Sequence, residues 1–188
     1  AILASTSARA AALSKGTSGM AGVFCFWDLR RTAWSLSRRA RAQNPLPPLL
    51  LFTDPARTPD PVAAAAALPP GAAVIYRAFG AADAPDLARA LRRTTRARGV
   101  KLLIGADPAL ARAVGADGVH LPERLACRAR ALRLAHPAWL VTAAAHSLPA
   151  ARRGLDLGAQ AVVVSAIFPS RSPSAGPPLG PIRLAALV

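Results

Sequence analysis

The chain contains little cysteine and no long hydrophobic run. Of its 188 residues, only Cys25 and Cys127 are cysteines, and they form neither a CxxC pair nor a metal-ligand spacing. This argues against a disulfide framework or a cysteine metal site, so we expect reduced thiols in a cytoplasmic protein. The longest apolar run, Val62–Leu68, is mostly alanine and too short to cross a bilayer.

Acidic residues are also scarce. Nine Asp and Glu stand against 24 Lys and Arg, which gives a formal net charge of +15. Such a charge is typical of nucleic-acid-binding proteins. However, only Lys15 and Lys101 are lysines, the arginines are spread along the chain, and alanine is abundant too. Because no recognition motif accompanies the charge and few aromatic side chains are present to stack on bases, we attribute it to compositional bias. We therefore expect neither nucleic acid nor a membrane as a partner.

Residues 1–48 differ from the rest, because they are rich in Arg, Ser and Ala and have Asp28 as their single acid. Such a composition is typical of transit peptides, and the spacing from Trp27 to Arg41 would also suit a surface-binding amphipathic helix. We favour a helix docked on the domain, or a disordered leader, because the apolar face is mostly alanine. Three prolines between positions 45 and 48 form a stiff linker. The expected domains are therefore 1–48, an extension, and 49–188, a globular domain.

From Leu49 onward, short apolar segments alternate with helical stretches. The segments Gly115–Leu121 and Gly158–Val164 repeat one phrase, in which a glycine able to end a helix precedes a buried strand. We predict six strands: Leu49–Thr53, Ala73–Tyr76, Lys101–Ile104, Gly118–Leu121, Trp139–Ala143 and Ala161–Val164. Six βα units predict an α/β fold with a parallel sheet, either open or a barrel of which two strands are missing.

Functional side chains of parallel α/β folds lie at the carboxyl ends of the strands. Here these ends have few acids and several cations, histidines and hydroxyls, namely Thr53-Asp54, Arg77, Gly105, His120, His146-Ser147, and Ser165 leading to Ser170-Arg171-Ser172. This set suits a phosphate ester, which arginine, hydroxyl and backbone N–H groups bind.

Structural roles are equally open for several of these residues. Asp54 precedes a proline and is typical of a turn, and Asp107 is typical of a helix N-cap. His120 ends a buried strand and would suit a core histidine, whereas His146 follows its strand in a loop and suits a site role better. Arg77 would alternatively be an ordinary surface arginine.

Four motifs follow one another along residues 49–183. They are Leu51-Phe52-Thr53-Asp54, Gly115–Leu121, Ala144–Ser147, and Phe168–Ser172 with Pro178-Leu179-Gly180. In content and order they resemble the thiamine phosphate synthase/TenI family. The resemblance implies a TIM (β/α)8 barrel and a role in thiamine biosynthesis, with a phosphorylated thiazole or pyrimidine as the small-molecule partner. It also implies a set of substrate- and phosphate-binding residues, namely Thr53, Arg77, His120, Ser170, Ser172, Gly176 and Gly180.

The synthase branch of that family joins a pyrimidine methyl diphosphate to a thiazole phosphate with the help of Mg²⁺. Of its Gln-x-Arg-x-Lys motif only Arg77 is present here, and its metal-binding acids match Ala106 and Leu125. The resemblance therefore implies no metal ligand, and Mg²⁺ would be needed only if synthase activity is retained. It favours the TenI-like branch, some members of which are thiazole tautomerases, with His146 as the catalytic acid/base. A synthase with an altered metal site, a non-catalytic phosphate-binding barrel and a homo-oligomer stay open.

Strands seven and eight of the barrel, with their Gly-Gly loop, are not recognisable after Val188. An incomplete reading frame is the explanation we favour. Coverage of the gap by another chain or by the N-terminal segment is the alternative.

Overall fold

The computed structural model describes residues 2–4, 46–169 and 177–185. Its seven strands form one parallel sheet: β1 Ile2–Ala4, β2 Leu50–Phe52, β3 Ala73–Tyr76, β4 Lys101–Gly105, β5 Gly118–Leu121, β6 Leu140–Ala145 and β7 Ala161–Val164. The order across the sheet is β1-β7-β6-β5-β4-β3-β2. Because β2 to β7 follow one another in space as in sequence, the sheet winds in one direction, as in a barrel, and does not reverse as in a doubly wound fold.

Helices connect the strands from β2 onward: α1 Pro61–Ala66, α2 Ala84–Ala97, α3 Pro108–Val114, a 3₁₀ helix Glu123–Arg128 that leads into α4 Ala129–Ala135, α5 Leu148–Asp156, and α6 Pro181–Ala185 after β7. The six predicted βα units and the barrel-type fold are thus confirmed, as six strands of a half-barrel. No helix in the described ranges is long and apolar enough to cross a membrane.

One strand was not predicted. Residues Ile2–Ala4 pair in parallel with β7, with Ile2 opposite Val162, so part of the expected extension lies in the sheet beside β7. The predicted amphipathic stretch Trp27–Arg41 lies outside the described residues.

Two of the helices begin in different ways. α1 begins at Pro61, because the Asp60 side chain accepts a hydrogen bond from the Ala63 N–H over 2.9 Å and proline suits the first helical position. The helical stretch after β5 begins as a 3₁₀ helix at Glu123 and becomes α-helical at Ala129.

The two copies of the repeated phrase make the same connection to the neighbouring strand. Asp117 donates its N–H to the Leu102 carbonyl over 2.8 Å, and its Oδ2 accepts from the Leu102 N–H over 2.8 Å. Gln160 exchanges the same two bonds with Val141, each over 2.8 Å, through its N–H and its Oε1. In both copies a side-chain oxygen therefore extends the parallel ladder by one hydrogen bond ahead of the strand.

The glycine that begins β5 permits a close approach to β6. A Cβ added at Gly118 would collide with the backbone carbonyl of Leu140. A larger residue would push the two strands apart at this point.

Strands β3 to β7 are buried on both faces over most of their length, as their unbroken apolar sequence predicts, and β2 is partly buried. One face packs against the helices and includes Val74, Leu102, Val119, Val141 and Val162. On the inner face, Ile75, Leu103 and Leu140 form a second cluster with Leu46, Leu50 and Phe52. This second cluster lies on the interior face of the half-barrel.

The Asp117 carboxylate joins β4, β5 and α2, because Oδ2 also accepts from Arg92 over 2.7 Å. We expect Asp117→Ala to lower the free energy of unfolding by about 2 kcal/mol, since it leaves the Leu102 N–H and the guanidinium unpaired. Asp117→Asn keeps a carbonyl acceptor and should cost less. Urea unfolding measures both.

The control is Asp86→Ala, which removes an exposed pair with Arg89 on α2 and should leave stability nearly unchanged. An equal loss in Asp86→Ala and Asp117→Ala would contradict the role assigned to Asp117.

Candidate functional site

The structure brings four of the predicted site residues to the carboxyl side of neighbouring strands. Thr53 follows β2, Arg77 follows β3, His120 lies in β5, and His146 follows β6. Parallel strands all end on one side, which is why residues far apart in sequence meet there.

Arg77 is held by the loop that follows β2. Its N–H donates to Thr53 Oγ1 over 3.0 Å, its Nε donates to the Thr53 carbonyl over 2.8 Å, and its Nη2 lies 3.3 Å from Asp54 Oδ2. Burial lowers the pKa of the Arg77 guanidinium, and the Asp54 carboxylate opposes that effect. Thr53 and Asp54 thus support Arg77, and the guanidinium places a cation with a fixed direction at this end of the barrel.

Two aromatic rings, those of Phe52 and Phe79, lie near the Arg77 guanidinium. The guanidinium carbon is 5.8 Å from the ring centroid of Phe52 and 4.9 Å from that of Phe79, both within cation–π range. Gly105 leaves room for the arginine, because a Cβ there would lie 3.2 Å from Arg77 Cγ and 3.1 Å from the Tyr76 carbonyl oxygen.

His120 lies inside the half-barrel and is only 6% exposed. Its Nδ1 is 2.9 Å from Thr142 Oγ1, and its ring meets Phe52 edge-on with centroids 5.1 Å apart. Burial, assisted by the nearby Arg77 charge, lowers the pKa of His120 to about 3. The imidazole is therefore neutral at physiological pH, and the structure gives it the character of a core histidine under the site.

His146 is exposed and is fixed at two points. Its Nδ1 lies 2.8 Å from the Ser165 carbonyl oxygen, and its backbone N–H donates to Glu123 Oε2 over 2.9 Å. Because a carbonyl oxygen only accepts, Nδ1 carries the proton and Nε2 is the basic nitrogen of the neutral ring. A histidine held in one tautomer in this way is suited to proton transfer.

Glu123 is a residue that sequence reasoning did not place beside His146. It contacts the histidine through the backbone, and its other oxygen lies 3.8 Å from the Arg153 guanidinium. The partner N–H is 23 positions further along the chain, and no local pattern predicts such a contact.

The loop after β7 contains the remaining predicted residues. Ser170, Ser172 and Gly176 lie outside the described residues. Gly180 is described, with φ +79, and its N–H donates to the Ile167 carbonyl over 3.0 Å. Leu179 donates similarly to Ala166 over 2.8 Å. This returning segment therefore packs on the residues that follow β7, and the Gly180 N–H is used within the loop.

The described residues do not fit a Mg²⁺ ion, which prefers several oxygen ligands in octahedral geometry. In residues 2–4, 46–169 and 177–185 no three His, Cys, Asp or Glu side chains lie together as a metal-binding group. Asp54 pairs with Arg77, and Asp107 caps α3 by accepting from the Leu110 N–H over 2.9 Å. Glu123 is the acid that contacts His146, through the histidine's backbone N–H.

Residues 49–188 match the family model described as thiamine monophosphate synthase. The chain is 37% identical over 102 residues to a putative thiamine-phosphate synthase of Geobacter sulfurreducens, a match that covers 54% of this chain and 48% of the relative. It is 34% identical over 119 residues to the thiamine-phosphate synthase of Roseiflexus sp., which covers 61% and 50% of the two chains.

Among solved structures, the fold is similar to that of a thiamine phosphate pyrophosphorylase from Pyrococcus furiosus. The TM-score is 0.59 with 22% sequence identity, over 74% of this chain and 68% of the other. The chain spans about half the length of the curated relatives it matches.

The buried His120 should make stability depend on pH. Its pKa is about 3 in the folded protein and about 6.5 in the unfolded chain. Between these values the unfolded state binds more protons, so stability falls as the pH is lowered from about 6.5. From pH 7.5 to pH 5 this contribution amounts to about 2 kcal/mol. Urea unfolding at the two pH values measures it.

His120→Gln should flatten that pH dependence whatever its effect on absolute stability. His136→Gln is the control, because His136 stacks on Trp139 outside the interior cluster and should leave the contribution of His120 intact. In NMR spectra the imidazole signals of His120 should not move between pH 8 and pH 5. Titration of His120 within this range would contradict the buried, neutral imidazole.

Proposed function

Because the chain belongs to the thiamine monophosphate synthase family, we propose that it binds a phosphorylated thiazole and shifts a proton on its ring, as a thiazole tautomerase of the TenI-like branch. The whole protein is the subject of this proposal, since the chain spans about half of its curated relatives. We also propose that it acts in the cytoplasm.

The observation that supports the reaction most directly is that His146 is held at two points, its Nδ1 and its backbone N–H. The hydrogen bond from Nδ1 to the Ser165 carbonyl leaves Nε2 as the proton acceptor. A tautomerase takes a proton from one position of the substrate and returns one to another, and a single exposed imidazole is able to do both. The reaction has no redox step and no leaving group, so it needs no residues that stabilise a departing diphosphate.

The charge distribution supports a phosphorylated ligand. Arg77 is a partly buried cation at the carboxyl side of the sheet, and the substrate phosphate would interact with it in a partly desolvated environment. By resemblance to the family, Ser170, Ser172 and Gly176 would complete the phosphate site with hydroxyl and backbone donors, whereas the Gly180 N–H already donates to the Ile167 carbonyl.

The test follows aromatisation of the thiazole tautomer carboxylate phosphate by absorbance or NMR. We expect the full-length protein to turn it over and His146→Ala to lower kcat by about 100-fold or more, the usual contribution of a general acid/base. His136→Gln is the matched control among the chain's three histidines and should keep wild-type activity.

Three results would contradict the proposal. Unchanged turnover in His146→Ala would remove the assigned residue. Formation of thiamine phosphate from the two synthase substrates, without tautomerase turnover, would identify a synthase instead. Thermal stabilisation by the thiazole phosphate without turnover would identify a binding protein.

Glu123 should act on the same reaction by positioning the backbone of His146. Glu123→Ala removes the acceptor of the His146 N–H, so we expect kcat to fall by roughly tenfold with little change in KM, because small misplacements of a reacting group are costly. Glu123→Gln keeps an acceptor oxygen and should restore most of kcat. Failure of Gln to restore kcat would show that the carboxylate charge matters instead.

A further inference from the structure

The carboxyl side of the sheet contains strained backbone on two neighbouring loops. Among the non-glycine residues that the structure describes, positive φ occurs at Phe79, with φ +49, and at Ala106, with φ +63. Phe79 lies on the loop after β3 and Ala106 directly after β4. Bulky residues rarely adopt such a conformation, and residues that do are concentrated at ligand and active sites.

Phe79 is also the more exposed of the two rings beside Arg77. Its side chain is 65% exposed, so burial in the core does not compensate for the backbone strain. The ring contacts the Arg77 guanidinium, whose central carbon is 4.9 Å from the ring centroid. The ring therefore makes a cation–π contact with Arg77 while most of its surface faces solvent.

The guanidinium in that contact is itself fixed. Thr53 and Asp54 hold its Nε and Nη2, so the direction from which it approaches Phe79 is set by the preceding loop. A fixed, exposed and strained aromatic ring beside a cation offers both a stacking surface and positive charge. A planar heteroaromatic ring with a phosphate substituent is the kind of ligand that uses both.

We propose that Phe79 is a binding residue that stacks on the planar heteroaromatic ring of the ligand. The assignment rests on the proposed function for the identity of that ligand, and it adds which residue recognises the ring. The inference follows from the coincidence of exposure, strain and the cation–π contact at one residue on the carboxyl side of the sheet.

The test measures binding by calorimetry for the full-length protein and two probes. One is the phosphate ester of hydroxyethyl methylthiazole, which has the ring, and the other is glycerol phosphate, which does not. The wild type should bind the thiazole ester more tightly. Phe79→Leu should lose roughly fivefold to tenfold in affinity for the thiazole ester, as expected for one stacking contact, with no change for glycerol phosphate. Phe79→Tyr should keep the preference.

Thermal unfolding of Phe79→Gly separates a binding role from a structural one. Glycine accepts positive φ without strain, so the melting temperature should stay the same or rise while thiazole affinity falls. The matched control is Ala106→Gly, which relieves the same strain on the next loop and removes no ring. It should raise the melting temperature and leave both affinities unchanged.

Three outcomes would overturn the inference. Wild-type thiazole affinity in Phe79→Leu would show that the ring does not contact the ligand. A clear fall of the melting temperature in Phe79→Gly, with affinity unchanged, would show that the ring is structural. If the wild type binds no thiazole ester at all, both the proposed ligand and the role of Phe79 are wrong. If Phe79→Leu keeps normal turnover and unchanged affinity, only the role of Phe79 is wrong.

Discussion

The register between β4, β5, β6 and β7 is the constraint on which the candidate site depends. Asp117 fixes the start of β5 against β4, and Gln160 fixes the start of β7 against β6, each by a pair of hydrogen bonds to one backbone position. Side chains alternate between the faces of a strand, so a slip of one residue would move His120 from the interior to the helix-covered face. The same register places Ala145 opposite Val164, and the next residues along, His146 and Ser165, then meet.

Charge at this end of the barrel is arranged in layers. The Arg77 cation pairs with Asp54, and below it the neutral His120 bonds to Thr142. Burial is the main reason that the pKa of His120 falls to about 3, and the nearby Arg77 charge adds to the effect by disfavouring a second cation beside it. The exposed His146 is separate from this pair and is held by Ser165 and Glu123, so the two imidazoles lie in different environments.

Much of the architecture could be predicted from the sequence, because an unbroken β-branched strand between helices has few alternatives. Five of the six predicted strands differ from the observed bounds by no more than one residue at either end, and Gly115 ends α3 in the left-handed conformation, with φ +64, as expected. The sequence also placed Thr53, Arg77, His120 and His146 at the carboxyl side. The remaining predicted strand, Trp139–Ala143, is β6 in the structure and ends two residues later than predicted, at Ala145, where it continues to pair with β7.

What could not be predicted depends on contacts between distant residues. The partnership of Glu123 with the His146 backbone and the strained, exposed state of Phe79 leave no trace in periodicity or composition, because they arise from loops that meet only after the sheet has formed. The pairing of Ile2–Ala4 with β7 is of the same kind. Ser170, Ser172 and Gly176, together with the ligand roles of the other residues, stay predictions.

The two outer strands of the described sheet have a further consequence, for self-association. β1 and β2 stand at the ends of the strand order and each consists of three residues. An edge strand exposes unpaired N–H and C=O groups that are able to recruit another chain, and a short edge offers only a few of them. Because both edge strands are short, they offer a limited template for edge-to-edge aggregation, although the strands between them are apolar segments of the kind that would aggregate if left uncovered.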